Sequence, residues 1–183
     1  MNELFQGPIF WLILAIVFNI GHTLFHIAFY LGYKGKNAVL YDGIIGYLGA
    51  LFVIILCYSN RNTIEISTFI TFPIGILFGG LGIALHIKAQ LDFNKYGKNI
   101  LKMHDENTIL IEQGIYRYLK HPMYFGGALA IIGITFFFSS YLGFLMVWLW
   151  IILIAICGYL EELDLKKKLP DGKYDRYAKK TYF

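Results

Sequence analysis

The feature that most constrains this chain is a series of five long apolar runs, at residues 9–31, 44–58, 69–87, 123–138 and 141–160. A helix needs about 20 residues to cross the hydrocarbon core of a bilayer, and most of the runs approach that length, although the second and fourth are shorter. Backbone groups must be satisfied within each span, and no ten-residue alternating pattern indicates a barrel. Only 15% of the residues are charged. The sequence therefore predicts an all-α integral membrane protein with about five transmembrane helices.

The first apolar run predicts a retained membrane span. It is too long for the core of a signal peptide, and it lacks a basic leader and a small-residue cleavage pattern. Nothing in the sequence marks a second domain, so residues 1–183 are expected to form one membrane domain. Within it, residues 1–87 are expected to be a three-span scaffold, and residues 88–183 to carry a cofactor-binding loop, a helical hairpin and a cytoplasmic tail.

The Lys and Arg residues are distributed unevenly between the connections. Fifteen of the sixteen lie after the first apolar run, in the 88–122 segment or in the C-terminal tail, and the sixteenth is Arg61. Five spans would place these three basic segments on the same side of the membrane, and the positive-inside rule makes that side cytoplasmic. We therefore expect an outside N-terminus and a cytoplasmic tail. A prokaryotic cell membrane is the expected location.

Two short sequence features predict how the helices pack. Only Ser139 and Ser140 separate the last two apolar runs, which predicts a tight helical hairpin. The glycine-rich stretch at residues 78–82 follows no predicted strand and begins no βαβ unit, so it is not a dinucleotide-binding fingerprint. Small residues at this spacing favour close helix–helix packing in membranes.

Polar residues inside the spans are candidates for function. Asn19, His22 and His26 share one helix face, and His86 lies near the inner end of the third span. Such residues either line a substrate pocket or hydrogen-bond neighbouring helices, and the sequence leaves both possibilities open. No metal site is expected, because the two cysteines form no CxxC pair and the five histidines form no His-x-x-His-His motif.

The clearest candidate for chemistry is the point at which the 88–122 segment re-enters the membrane. Pro122 suits the first turn of a helix, which makes His121 the expected N-cap. A helix N-terminus offers amide groups and a positive dipole end to a ligand carboxylate or phosphate. Tyr116 and Tyr124 lie at the same level, either as pocket walls or as part of an interfacial aromatic belt.

Glu161 and Glu162 provide the expected counterpart at the end of the last apolar run. The helix macrodipole disfavours negative charge at a C-terminus, so we expect a cationic or hydrogen-bond-donating partner opposite them. A helix continuing to about Leu169 would pair Glu162 with Lys166 and place Lys168 on the face of Glu161. The simpler alternative is a solvated, charged helix end. Anion-binding amides, aromatic walls and two carboxylates together suit a zwitterionic nucleoside such as S-adenosylmethionine.

These residues also occur in the order and spacing of a known family. The motif positions are Gly114, Tyr116, His121, Pro122, Tyr124 and Gly126 before the hairpin, then Glu161, Glu162 and Leu165, and finally Gly172, Tyr174 and Tyr177 in the tail. Over about residues 108–180 the chain resembles the C-terminal half of the isoprenylcysteine carboxyl methyltransferase and phospholipid methyltransferase superfamily.

The resemblance implies an S-adenosylmethionine-dependent methyltransferase. It implies cofactor contacts at Leu110, Ile111, Tyr116, His121, Pro122, Tyr124, Glu161 and Glu162. Glu162 and Lys168 are the residues we expect nearest the substrate head group. The substrate would be lipophilic and would enter from the bilayer; a prenylcysteine-like carboxylate, a lipid amine and a thiol all remain open. Membrane lipids are the expected surroundings, no nucleic-acid partner is expected, and the oligomeric state is open.

Two alternatives remain beside this reading. Lys120 stands where the family carries Arg. A lysine cannot bind a carboxylate in a bidentate manner, so this difference favours the cofactor assignment over carboxyl methylation.

The first alternative function is an NADPH-dependent membrane reductase of the sterol-reductase type, which has a similar C-terminal half but typically carries Asn where Met123 stands. A small non-enzymatic membrane scaffold is the second alternative.

Overall fold

The computed structural model describes residues 7–31, 38–97 and 109–182 and contains six α-helices in this part of the chain. They are α1 (Pro8–Tyr30), α2 (Ala38–Ser59), α3 (Thr68–Tyr96), α4 (Pro122–Phe138), α5 (Tyr141–Lys168) and α6 (Lys173–Ala178). The helices α1, α2, α3 and α5 are long and apolar enough to cross a membrane, whereas α4 has 17 residues. The prediction of an all-α integral membrane protein is confirmed.

The helices α2 and α3 are both longer than the apolar runs that predicted them. The second run was expected to be short, but α2 has 22 residues. The helix begins at Ala38, before the apolar run, and its first turns include the polar residue Asp42. The third run was expected to end at residue 87, yet α3 continues to Tyr96. The hydropathy pattern predicts the end of the apolar run, but it does not predict the end of the helix. The backbone hydrogen bonds of a helix can continue into polar sequence.

Glycines allow α3 and α4 to approach each other closely. A Cβ atom on Gly82 would lie 2.3 Å from the backbone nitrogen of Ala130, and one on Gly133 would lie 2.1 Å from that of Gly79. Neither contact leaves room for a side chain. The packing role predicted for the glycine-rich stretch is therefore confirmed, and it follows the general preference of membrane helices for small residues at their interfaces.

The buried core is formed by residues of α1, α2, α4 and α5, namely Ala15, Val53, Leu56, Cys57, Ile131, Met146 and Val147. Asn19 is a polar link within it. Its Nδ2 atom donates to the carbonyl of Ala15 at 2.7 Å, and its Oδ1 atom accepts from Trp150 Nε1 at 2.6 Å. Asn19 thus joins α1 to α5, which is the interhelical role that the sequence left open.

The helices α4 and α5 form the predicted hairpin. Ser139 adopts the left-handed conformation after α4, and Ser140 caps α5 by accepting a hydrogen bond from the amide of Gly143 at 3.1 Å. The connection between α2 and α3 packs against this turn, since the amide of Asn62 donates to the Phe138 carbonyl. Arg61 lies in this connection, at the same end of the helix bundle as the Ser139–Ser140 turn.

Four of the lysines used to predict the membrane orientation lie outside the described residues, namely Lys34, Lys36, Lys98 and Lys102.

Replacing Gly82 with alanine is expected to destabilise the helix bundle. The new Cβ would overlap backbone atoms of α4, which must move, and overpacking of this kind costs about 2 kcal/mol. Equilibrium unfolding in detergent should show the loss for Gly82→Ala. Gly80→Ala is the matched control, because a Cβ at Gly80 meets nothing within 4 Å. Equal stability of the two variants would contradict the packing described here.

Candidate functional site

A buried carboxylate at the end of α3 holds the segment that returns to the membrane. Asp92 is 3% exposed, forms an ion pair with Lys88, and accepts a hydrogen bond from the amide of Ile115 at 2.7 Å. Gly114 precedes that amide with φ of +63°, and a Cβ there would lie 2.2 Å from Asp92 Oδ2. Glycine is therefore required at residue 114 both by conformation and by space. Sequence analysis missed Asp92; its i, i+4 spacing from Lys88 was the available signal.

The C-terminal tail holds the same segment from the other side. The Tyr177 hydroxyl of α6 donates to the carbonyl of Tyr116 at 2.7 Å. The amide of Lys120 donates to the Tyr182 carbonyl at 3.0 Å, and the amide of Tyr182 donates to the Tyr118 carbonyl at 2.8 Å. Burial raises the pKa of Tyr177, with the charges of nearby carboxylates adding to the effect, so its hydroxyl remains a neutral donor. The returning segment is thus fixed by both α3 and the tail.

His121 is the N-cap of α4 and Pro122 is its first residue, as the sequence predicted. The histidine side chain does not cap the helix, however. Its Nδ1 atom lies 3.4 Å from Glu161 Oε2, and its Nε2 atom lies 3.3 Å from Glu162 Oε1. Tyr124, one turn further along α4, stacks on the imidazole with ring centroids 5.5 Å apart. The structure therefore brings the re-entry motif and the two acidic residues of α5 together.

Lys120 completes this group. Its Nζ atom donates to Glu162 Oε1 at 2.7 Å, and both side chains are largely buried. We call Lys120, His121, Glu161 and Glu162 the His121 cluster. A protonated His121 would give the cluster two positive and two negative charges. Burial opposes that protonation, but hydrogen bonds and charges from Glu161 and Glu162 outweigh burial, and the pKa of His121 is raised above its ordinary value.

The carboxylates need partners for a different reason from the one expected. The helix continues for two turns beyond Glu161 and ends at Lys168. The macrodipole acts mainly within the last turn of a helix, so it is not the main cost at Glu161 and Glu162. Their partial burial is the larger cost, since a buried charge requires a paired and hydrogen-bonded environment. The continuation of the helix to about Leu169 is confirmed.

The other basic residues of α5 are paired differently from the prediction. Lys166, expected to pair with Glu162, lies 3.3 Å from Asp175 Oδ1 of α6. Lys168 donates to Asp164 Oδ2 at 2.6 Å and is substantially exposed. The structure does not bring Lys168 into the His121 cluster, and Lys120 is the residue that contacts Glu162. Sequence analysis treated Lys120 only as a departure from a family pattern.

The remaining predicted cofactor residues lie along the returning segment. Ile111 is buried beside Gly97 at the end of α3, and Leu110 is partly buried. The ring of Tyr116 lies 6.3 Å from that of Phe93 in α3. Burial raises the pKa of Tyr116, and Glu161 is the next contributor, which places the tyrosine within electrostatic range of the His121 cluster. The cofactor-binding role of these residues stays a prediction.

A cleft of about 280 Å³ opens beside the His121 cluster. It is lined by Lys120, His121, Tyr124, Ile154, Ala155, Gly158, Tyr159 and Glu162. Ala155 and Tyr159 are exposed on the outer surface of α5. Polar groups thus form one end of the cleft, and the apolar flank of a membrane-spanning helix forms the other, an arrangement suited to a ligand with a polar head and an apolar body.

The two groups of intramembrane histidines have separate environments. The Nδ1 atom of His86 is 3.1 Å from the Met123 carbonyl, and its Nε2 atom is 3.1 Å from Gln90 Nε2, so it links α3 to α4. His22 and His26 share one face of α1, as predicted, and both contact Asp42 of α2. Sequence analysis gave Asp42 no role.

Comparison with known proteins decides the family. A model of the phospholipid methyltransferase family matches residues 70–170, which is more than half of the chain. The chain belongs to the phospholipid methyltransferase family. The match covers nearly all of α3, all of α4 and α5, and every residue of the His121 cluster. A search of curated proteins and a search of solved structures each give no match. Membership confirms the resemblance found in the sequence and shows a membrane methyltransferase family with lipid-like substrates.

Raising the pH is expected to weaken the His121 cluster. The folded-state pKa of His121 lies above the ordinary 6.5, so its stabilising protonation is complete below about pH 6.5 and is lost as the pH rises through the folded value. The unfolding temperature in detergent should therefore fall as the pH rises above about 6.5, and His121→Gln should remove most of that slope.

The matched control for this measurement is His86→Gln, since the hydrogen bonds of His86 are to Gln90 and to a backbone carbonyl. It should keep the slope of the parent protein. A slope that persists in His121→Gln would show that another group titrates and would contradict the charge arrangement of the cluster.

Proposed function

We propose that this protein is an S-adenosylmethionine-dependent methyltransferase that methylates a lipophilic acceptor at the cytoplasmic face of the membrane. The observation that carries the proposal is the His121 cluster, in which two basic and two acidic side chains meet at the start of α4. The cluster lies within the region that matches the phospholipid methyltransferase family. Family membership supports methyl transfer, and the identity of donor and acceptor is our proposal.

The cluster has the charges that a zwitterionic amino-acid group requires. The amides in the first turn of α4, with Lys120, would bind the carboxylate of S-adenosylmethionine. Glu161 would bind its ammonium group or the ribose hydroxyls, since an ionised carboxylate accepts hydrogen bonds from either. The sulfonium is favoured by aromatic faces, which Tyr116 and Tyr124 would provide.

The methyl-transfer step makes few demands on acid–base groups. A lone pair of the acceptor attacks the methyl carbon while the carbon–sulfur bond breaks, and the sulfonium becomes a neutral thioether. An amine acceptor then releases one proton to a nearby carboxylate or to water. Most of the rate enhancement would come from aligning the nucleophile, methyl group and sulfur and from excluding water.

The acceptor would reach the site from the bilayer. The cleft lies between the start of α4 and the outer flank of α5, and its apolar end would hold an acyl or prenyl chain. Glu162 would contact the head group. Lys168 lies six residues further along the helix, or about 9 Å, which would suit a second polar group of the same molecule. A lipid amine, a prenylcysteine-like carboxylate and a thiol all fit this arrangement.

The orientation that we propose for the chain rests on the distribution of charge. The His121 cluster, the end of α5 and the basic tail lie at one end of the bundle, and the Ser139–Ser140 turn and Arg61 lie at the other. The positive-inside rule supports a cytoplasmic location for the site and the tail, and an outside N-terminus.

Substituting Glu162 is expected to weaken cofactor binding selectively. Titration calorimetry on detergent-purified protein should show saturable binding of S-adenosylmethionine and S-adenosylhomocysteine. Glu162→Gln removes the carboxylate that holds Lys120 and His121 in place for the cofactor. Loss of these charged hydrogen bonds should weaken binding by about tenfold or more, because both side chains would then have to be ordered on binding. His121→Ala should show a similar loss.

Asp164→Asn is the matched control, because it changes a carboxylate to an amide on the same helix, at a residue paired with Lys168. Its affinity for S-adenosylmethionine should stay within about twofold of the parent value. Binding of NADPH without binding of S-adenosylmethionine would overturn the proposal and favour a membrane reductase. Binding of none of the three would favour a non-enzymatic scaffold.

Separate alanine substitutions of Lys120 and Lys168 should distinguish cofactor binding from acceptor binding. Lys120→Ala removes the direct partner of Glu162 and should reduce the affinity for S-adenosylmethionine by about tenfold. Lys168→Ala should leave that affinity unchanged and should raise the KM for the lipid acceptor. Transfer of a radiolabelled methyl group to defined lipids measures the second effect. An unchanged KM in Lys168→Ala would exclude the proposed head-group contact.

A further inference from the structure

Three potential metal ligands converge where α1 meets α2. His22 and His26 are four residues apart and therefore point from the same face of α1. Their Nε2 atoms each lie 3.1 Å from Oδ1 of Asp42, which is in the second turn of α2. One ligand atom from each residue can be chosen so that all three lie within 4.8 Å of one another. Both imidazoles approach the same carboxylate oxygen, so the donor atoms converge on one point.

The spacing of these atoms fits a tetrahedral metal site. Zinc binds histidine nitrogen and carboxylate oxygen at about 2.0–2.2 Å, so two ligand atoms of a tetrahedron are about 3.4 Å apart. The two His–Asp distances of 3.1 Å are close to that value. These two distances would have to change by only a few tenths of an ångström for a metal ion to bind, and the third ligand pair lies within 4.8 Å. Two imidazoles and one carboxylate are a ligand set that zinc and other divalent transition metals accept.

The packing around the ligands is also suited to a metal. The side chain of His26 is 7% exposed, that of Asp42 is 13% exposed, and that of His22 is 30% exposed. Gly46 makes room for His22, since a Cβ there would lie 3.0 Å from its Nε2 atom. A carboxylate held between apolar helices is costly unless it is paired or binds a metal. The partial exposure of His22 leaves an approach for a fourth ligand.

We propose that His22, His26 and Asp42 form a binding site for a divalent transition metal, with Zn²⁺ as the best fit. Three protein ligands and one open position are the arrangement of zinc sites that bind water or substrate. All three residues precede residue 70, where the family match begins, so the site is not part of the matched region. The sequence-based expectation of no metal site considered cysteine pairs and histidine-rich motifs, and it did not consider a carboxylate from the next helix.

The test uses the full-length protein in detergent, with any purification tag removed and bound metal stripped by a chelator. Titration with Zn²⁺ alone should show one metal ion per chain, and Zn²⁺ should raise the unfolding temperature, because a ligand that binds only the folded state stabilises it. Co²⁺ should give a visible absorption spectrum with imidazole ligation, and Zn²⁺ should displace it. Absence of stoichiometric binding would overturn the proposal.

Variants assign the ligands. His26→Ala and Asp42→Asn should each weaken Zn²⁺ binding by at least about 100-fold and abolish the rise in unfolding temperature. His22→Cys, which supplies another zinc ligand, should retain binding even if the alanine variants fold poorly. His86→Ala is the control, since it removes a histidine from a different helix pair and should leave binding unchanged. Retention of full affinity in His26→Ala and Asp42→Asn would overturn the proposal.

Metal binding can also be tested separately from binding of the proposed cofactor. Glu162→Gln, which is expected to weaken S-adenosylmethionine binding, should leave Zn²⁺ stoichiometry and affinity unchanged. A parallel loss of Zn²⁺ binding in Glu162→Gln would show that the metal is held at the His121 cluster and would overturn the assignment to α1 and α2.

Discussion

The contact between His121 and the two carboxylates of α5 is the interaction on which the candidate site depends. It joins the start of α4 to a position near the end of α5, two points that lie far from the Ser139–Ser140 turn. Helix length makes the meeting possible. The 17 residues of α4 rise about 26 Å, and the 21 residues from Tyr141 to Glu161 rise about 32 Å, so both points return to nearly the same level. A hairpin with much less equal arms could not bring these side chains together.

The site is supported by elements that lie outside the hairpin. Asp92 orients the Gly114–Ile115 turn through a buried hydrogen bond, and Tyr177 and Tyr182 hold the following residues from the tail. A cluster of opposite charges binds a ligand well only if its own geometry is fixed in advance, because each disordered side chain would have to be ordered on binding. The part of α3 that extends beyond the apolar run therefore supports the candidate site, because it carries Asp92.

The local features of the fold and one long-range pairing could be predicted from the sequence, whereas the other long-range pairings could not. Apolar runs, a two-residue turn and a proline after His121 are each local signals, and each gave a correct element. The meeting of His121 with Glu161 and Glu162 was also predictable, since it follows from helix length. Asp92 was assigned to a loop because charge ends the apolar run at Lys88, whereas the helix continues. Lys120 and Asp42 gained their partners only through the packing of separate helices, and a single sequence does not specify the helix rotations that decide such pairs.

The two polar centres of the molecule are not electrically isolated. α1 contacts α5 through the hydrogen bond that Trp150 donates to Asn19. The charge of Glu161 acts electrostatically on His26 and Tyr30, which both belong to α1. A divalent ion at His22, His26 and Asp42 would attract the ionised form of Glu161 and so compete with His121 for it. Through this competition α1, which was expected to belong to a three-span scaffold, would influence the charge that the cluster presents to a ligand.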